Sequence, residues 1–190
     1  MRDIDLREIN KEYQNLVQKE CIKENDDQIT TRISLMFSKS QNNLKIARAI
    51  FKLSTTKEFK ELFKLKEDDT FFDWTIQASY YSMFHAVNSL LATKKIKISK
   101  IDAHKSTLYA FGKHFIITKE LAEELFIIYG QTEEKALALF SSLAEEKQKR
   151  GFSAYERLSK MNIEPAEESL EHAQELLQAI SDILIKNHYI

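Results

Sequence analysis

Apolar residues recur every three to four positions along most of this chain, and that spacing predicts helices rather than strands. The plainest stripe is the last one: Ala166, Leu170, Ala173, Leu177, Ile180 and Leu184, joined by Leu176 and Ile183. Pro165 is expected to start that helix, with Glu167 and Glu168 in its first turn. A second stripe, Ile29, Ile33, Met36, Phe37, Leu44, Ala47, Ile50 and Phe51, predicts a helix over 29–53. Ahead of it, Ile4, Ile9, Tyr13, Leu16 and Val17 mark a helix over 4–22, broken by KENDDQ at 23–28. The stretch STTKEFKELFKLKEDD is polar and irregular, with room for one short helix. Residues 71–93 predict a helix and 94–102 a loop. A short helix over 103–112 is expected to end at Gly112 as its C-terminal cap, and another over 121–129 at Gly130. Thr132 then caps a helix through Gln148, with Glu133 and Glu134 facing its dipole.

The 71–93 helix carries two stripes. Phe72, Ile76, Tyr80, Met83, Val87 and Leu90 read as core. Trp74, Ala78, Tyr81, His85, Asn88 and Leu91 mix polar groups into an apolar surface, as an interface or a site would. Apolar groups on most of its circumference place this helix at the centre of a bundle.

Composition narrows the class. Three glycines and one proline in 190 residues are too few for the turns of a sheet protein. The 43% hydrophobic and 30% charged content fits a globular fold. A net charge of −1 supplies no global pull toward nucleic acid or membrane, so any phosphate contact must be local. Cys21 is the sole cysteine, which excludes an internal disulfide and a cysteine metal cluster. The charged N-terminus is unlike a signal peptide, and no apolar run nears the roughly 20 residues a bilayer requires. A cytoplasmic protein is expected. His104 and His114 lack metal-ligand spacing, and neither a Gly-rich phosphate loop nor a nucleophile motif is present. No metal and no cofactor are expected.

The strings ASYYSMFHAV (78–87) and DAHKSTLYAFGKHFI (102–116) resemble the HEPN superfamily of small helical proteins. KRGFSAYE, with Arg150 and Tyr155 five apart, and the opening QITTRISLMFSKSQNNLKIARAIF extend the resemblance over about residues 28–186. It implies an all-α, up-and-down antiparallel bundle of four to five core helices over 28–190, with an N-terminal helical extension over 1–27. It also implies a homodimer whose central helices face each other, metal-free cleavage of RNA in many members, and a minimal nucleotidyltransferase as frequent partner.

The family ribonuclease pairs an arginine with a histidine on one helix. Imidazole can act as acid or base near neutral pH, and guanidinium matches phosphate geometry. Seven residues are close to two helical turns, so both groups share a face. His85 matches the family histidine, but Ala78 stands where the arginine is expected. Val87 stands where some members carry a tyrosine that the partner adenylylates. Replacement cations are Arg150 and Lys105, or Lys94, Lys95, Lys97 and Lys100 in the loop. A second basic group is Lys147, Lys149 and Arg150.

The candidate site is therefore the polar face around Ser79, Tyr81, His85 and Asn88. His85 is the catalytic candidate, and Lys105, His104, Arg150, Tyr81, Asn88 and Tyr155 are candidates for binding a nucleotide or phosphate. Each has a plainer alternative: a structural histidine, tyrosines packed with a bonded hydroxyl, a solvated lysine loop. The leading expectation is a non-catalytic or weakly active, RNA- or nucleotide-binding partner of a minimal nucleotidyltransferase in a toxin–antitoxin or defence module. The alternatives are a metal-independent ribonuclease using His85 with a non-standard cation, and a structural helical adaptor.

Overall fold

The computed structural model describes residues 6–129, 133–155 and 162–190, with 126, 129, 133 and 151–155 described by their backbone only. Among the described residues the order is α1 (Leu6–Gln18), β1 (Ile22–Lys23), α2 (Ile29–Thr55), α3 (Lys57–Leu62), α4 (Phe72–Thr93), β2 (Lys97–Ile98), α5 (Ala103–Phe111), a π-helical turn (Gly112–Ile116), α6 (Glu120–Tyr129), α7 (Glu133–Tyr155) and α8 (Ile163–Lys186). The fold is an all-α bundle, as the periodicity requires. Gly130 and Thr132, expected as a stop and a cap, lie outside the described residues.

Helix α4 is the axis. Fifteen of its 22 residues are buried, which its near-continuous apolar circumference dictates. It runs antiparallel to α2, because Phe51 of α2 meets Phe72 while Ser40 meets Ser82. At that second crossing each serine hydroxyl donates to the other's carbonyl, at 2.8 and 3.0 Å, with both residues fully buried. Small side chains let the two backbones approach, and the reciprocal bonds satisfy the buried hydroxyls. Helix α8 covers another side, with Ala166 packed against Phe72 and Ile76. Helices α7 and α8 are antiparallel, since Lys149 reaches Glu168 and Lys135 reaches Glu175.

The N-terminal helix adds Ile9, Tyr13 and Leu16, all buried, to the main core. Full burial of such side chains stabilises by roughly 1.5–3 kcal/mol each. It stops at Gln18 rather than at residue 22, because Glu20 takes a left-handed φ of 54° and the Cys21 amide closes back on the Leu16 carbonyl. The chain then forms a two-residue antiparallel pair, Ile22 opposite Ile98 and Lys23 opposite Lys97. The 94–102 segment expected as a loop is thus partly strand, too short to carry a periodicity.

Gly112 does not cap α5. Its φ of −56° and ψ of −45° are helical, and the chain continues into the π-helical turn. Its role is close approach: a Cβ there would lie 2.9 Å from Ile9 Cγ2 and 3.1 Å from Phe140 Cε2. Helix α8 begins at Ile163, two residues before Pro165, which still falls in the first turn where a missing N–H costs nothing. Helix α7 runs to Tyr155, seven residues beyond the expected end. No helix among the described residues is long and apolar enough to cross a membrane.

Candidate functional site

Helices α5 and α7 converge on one edge of α4. That edge carries Trp74, 56% exposed, and then the half-buried Tyr81, Phe84 and His85. Helix α5 contributes His104 in its first turn. Asp102, in a left-handed conformation at φ 50°, turns the chain into that helix, and its carbonyl accepts the Ser106 amide at 2.8 Å. Helix α7 contributes Lys147 and Arg150, three apart and so on one face.

The rotation of α7 is held by Glu146, one turn before Arg150. This fully buried carboxylate accepts from Lys149 Nζ at 2.6 Å, from Ser169 Oγ at 2.6 Å and from His172 Nδ1 at 3.0 Å. A buried carboxylate is tolerable only with partners of this kind. The network ties α7 to α8 and sets the direction in which Arg150 points.

Arg150 reaches across to α4 and α5. Its Nη1 lies 3.3 Å from the Tyr81 hydroxyl and 3.3 Å from His104 Nε2. Its guanidinium lies over the Tyr80 ring, 5.1 Å from the centroid, and 5.8 Å from that of Tyr81. The Tyr80 hydroxyl sits 2.8 Å from His104 Nδ1. Tyr81 stacks on His85 with centroids 6.2 Å apart, and Phe84 separates the two imidazoles, 5.1 Å from His85 and 4.9 Å from His104. The outcome is a compact cluster of two tyrosines, two histidines and an arginine.

The electrostatics of the cluster point one way. Burial, then the charge of Lys39 on α2, then His104, push His85 down to about 4. Burial, Arg150 and Lys147 lower His104. Burial, Lys105 and Arg150 lower Lys147, with only Asp102 opposing them. Each group loses proton affinity first to burial and then to its basic neighbours. Positive charge gathered with so little acid among it favours an anion. His85 adds an unfilled bonding position, since its Nδ1 is buried with no hydrogen-bond partner.

The structure thus brings together Tyr81, His85, His104 and Arg150. Other candidates are placed elsewhere. Lys105 turns to α1, with its ammonium 2.5 Å from the Glu12 carboxylate. Asn88 ties α4 to α5, donating to the Phe84 carbonyl at 2.8 Å and to Thr107 Oγ1 at 3.0 Å. Ser79 is fully buried, some 200° around α4 from Tyr81. Ala78, at the expected arginine position, is also buried and carries no charge to offer the cluster. In the basic loop, Lys94 pairs with Glu120 at 2.7 Å and the Lys95 carbonyl accepts the Asp26 amide. The side chain of Tyr155 lies outside the described residues. His114 bonds Tyr13 at 2.9 Å, away from the cluster. Among the described residues no three His, Cys, Asp or Glu side chains converge as metal ligands would.

Sequence reasoning did not assign Tyr80 or Lys39 to the site. Tyr80 reads as core, and it is 1% exposed, yet its hydroxyl reaches His104. Lys39 carries no signal of its own, because only the α2–α4 register brings its charge near His85.

A stretch of 56 residues is 46% identical to a protein of Methanocaldococcus jannaschii that bears the name "Putative toxin MJ0142". The stretch covers 30% of this chain and 36% of that relative, so the match spans about a third of each. No family model matches the chain. No solved structure matches it either.

Proposed function

We propose that this chain is a HEPN-like protein of a toxin–antitoxin or related defence module, and that the cluster on α4 receives a phosphodiester of RNA. The observation that carries the reading is the position of Arg150. The cation that α4 lacks at Ala78 comes instead from α7, 3.3 Å from an imidazole nitrogen and from the Tyr81 hydroxyl. Guanidinium and imidazole are the pair that metal-free phosphodiester chemistry needs. Lys147 and Lys39 add charge on either side, which suits a strand with several phosphates. The partial likeness to a protein named as a toxin agrees with this setting.

The reading extends to a second copy of the chain. Trp74, Tyr81 and His85 share the open edge of α4, and a twofold contact along that edge would place two clusters in one cleft. A second functional reading, a non-catalytic partner of a minimal nucleotidyltransferase, draws on the same contact. His104 and Arg150 are engaged with each other, as a structural pair would be, whereas Val87, fully buried where a modifiable tyrosine is expected, lends no support to control by adenylylation.

The test is binding and cleavage of a short single-stranded RNA, with EDTA present. Wild type should bind it, and Arg150→Ala should bind at least about 10-fold more weakly, the worth of one charge-assisted phosphate contact. Equal binding by wild type, Arg150→Ala and Lys147→Ala would remove the RNA-directed reading. Binding without cleavage favours the non-catalytic partner. Cleavage lost in His85→Ala or His104→Ala favours the ribonuclease.

A further inference from the structure

We propose that His104, rather than His85, is the acid–base residue of this cluster, and that Arg150 keeps it locked until a phosphodiester draws the guanidinium away. The inference rests on the RNA-directed reading above and names the group that would act there.

It follows from hydrogen-bond bookkeeping. Arginine has only donors. Its Nη1 lies 3.3 Å from His104 Nε2, so that nitrogen must offer its lone pair. The neutral ring then carries its proton on Nδ1, which donates to the Tyr80 hydroxyl oxygen at 2.8 Å. Tyr80 can accept through the lone pairs of its hydroxyl oxygen. The lone pair that a general base needs is thus formed, aimed and capped. Tyr80 and Tyr81 on α4 hold the ring and the arginine, while Arg150 and Lys147 set positive charge beside it.

His85 is less suited to the task. Its Nδ1 is buried and bonded to nothing, and no neighbour orients the ring beyond stacking on Tyr81 and edge contact with Phe84. A base is usually oriented by a partner on its second nitrogen. His104 has one and His85 does not.

A phosphate oxygen is a stronger acceptor for guanidinium than a neutral imidazole. Once Arg150 turns to it, Nε2 of His104 is uncovered beside the bound phosphodiester and can take the proton of the adjacent 2′-hydroxyl. The 2′-oxygen then bonds to phosphorus as the bond from phosphorus to the 5′-oxygen breaks. The leaving oxygen takes a proton from solvent, and His104 later returns its own to solvent. The products are a 2′,3′-cyclic phosphate end and a 5′-hydroxyl end. A resting protein would keep its base covered, and only the substrate's own charge would expose it.

Long-range proton–nitrogen NMR of the imidazoles tests this directly, with the His104 signals assigned from His104→Gln. The free protein should show His104 protonated on Nδ1. Saturation with a uridylyl-adenosine dinucleotide whose first sugar is 2′-deoxy, which cannot be cleaved, should shift the Nε2 signal and raise the His104 titration midpoint. Arg150→Ala should raise that midpoint without ligand, and Arg150→Lys, which keeps charge but not the fork, should raise it less. In cleavage assays His104→Gln should abolish turnover, whereas Arg150→Ala should lower it on the order of 100- to 1000-fold. A resting ring protonated on Nε2, or a His104 signal unmoved by saturating dinucleotide, overturns the lock. A dinucleotide that fails to bind sinks the RNA-directed reading instead. The lock is then judged by the resting tautomer and by inorganic phosphate, which must shift Nε2 if Arg150 is the cap.

Discussion

Glu146 and His172 face each other across the α7–α8 contact, with Nδ1 donating to the buried carboxylate at 3.0 Å. The pair stands one helical turn from Arg150, so the architecture that fixes the bundle also aims the candidate site. Glu146→Gln should destabilise the fold by about 3–5 kcal/mol, the usual cost of breaking a buried ionic network from one side. Urea unfolding at pH 7 reads it, and an RNA affinity that falls in step would tie the network to the site. The Glu146 hydrogen bond raises His172 above the ordinary histidine value. The stabilisation is therefore complete below the unfolded value of about 6.5 and is lost as pH rises through the folded one. Wild type should lose stability over that range, and His172→Gln should flatten the loss.

His85 carries the opposite sign. Burial, its largest influence, pushes it down to about 4, so the unfolded chain takes up its proton first. Its contribution to stability falls as pH drops from about 6.5 toward 4. His85→Leu should remove that acid sensitivity. Because Nδ1 has no partner, the replacement should also keep or raise stability at pH 7, by roughly 1 kcal/mol. A loss of more than about 2 kcal/mol at neutral pH would mean that the ring is needed for packing.

Gly112→Ala should be destabilising, although alanine is the better helix former by about 1 kcal/mol. The added methyl would meet Ile9 Cγ2 at 2.9 Å, and overpacking of this kind costs about 1–3 kcal/mol. In an Ile9→Ala background the same change should be near neutral or stabilising. A double-mutant cycle by thermal unfolding measures the coupling.

Lys147→Ala should weaken RNA binding about equally across sequences and reduce the slope of affinity against salt by about one phosphate contact. Lys105→Ala should leave that slope nearly unchanged, because its ammonium is held by Glu12 on α1. Fluorescence anisotropy at several salt concentrations separates the two. The reverse order would place the strand over α5 and α1 instead.

The long helices were legible because a 3.6-residue stripe repeats many times in each, and repetition makes a local pattern unambiguous. The short pair of β1 and β2 was not, since Ile22 and Ile98 have nothing local to announce them. The last turns of α7 were missed for a related reason. KQKRG reads as polar with a glycine, but Lys149 bonds Glu168 while Arg150 lies on the tyrosines, and those distant partners carry the helix forward. Gly112 reads as a cap because glycine most often serves as one, whereas its purpose here is room for Ile9.

By itself the sequence determined the helical class, the central place of α4 and the residue types able to do phosphate chemistry, because each follows from periodicity or from side-chain chemistry that needs no partner. Only the tertiary structure decided which cation meets which imidazole. It set Arg150 beside His104, sent Lys105 to Glu12 and left Asn88 as a tie between helices. Charge and hydrogen bonding act over a few ångströms, and residues 46 positions apart come that close only when packed helices bring them there.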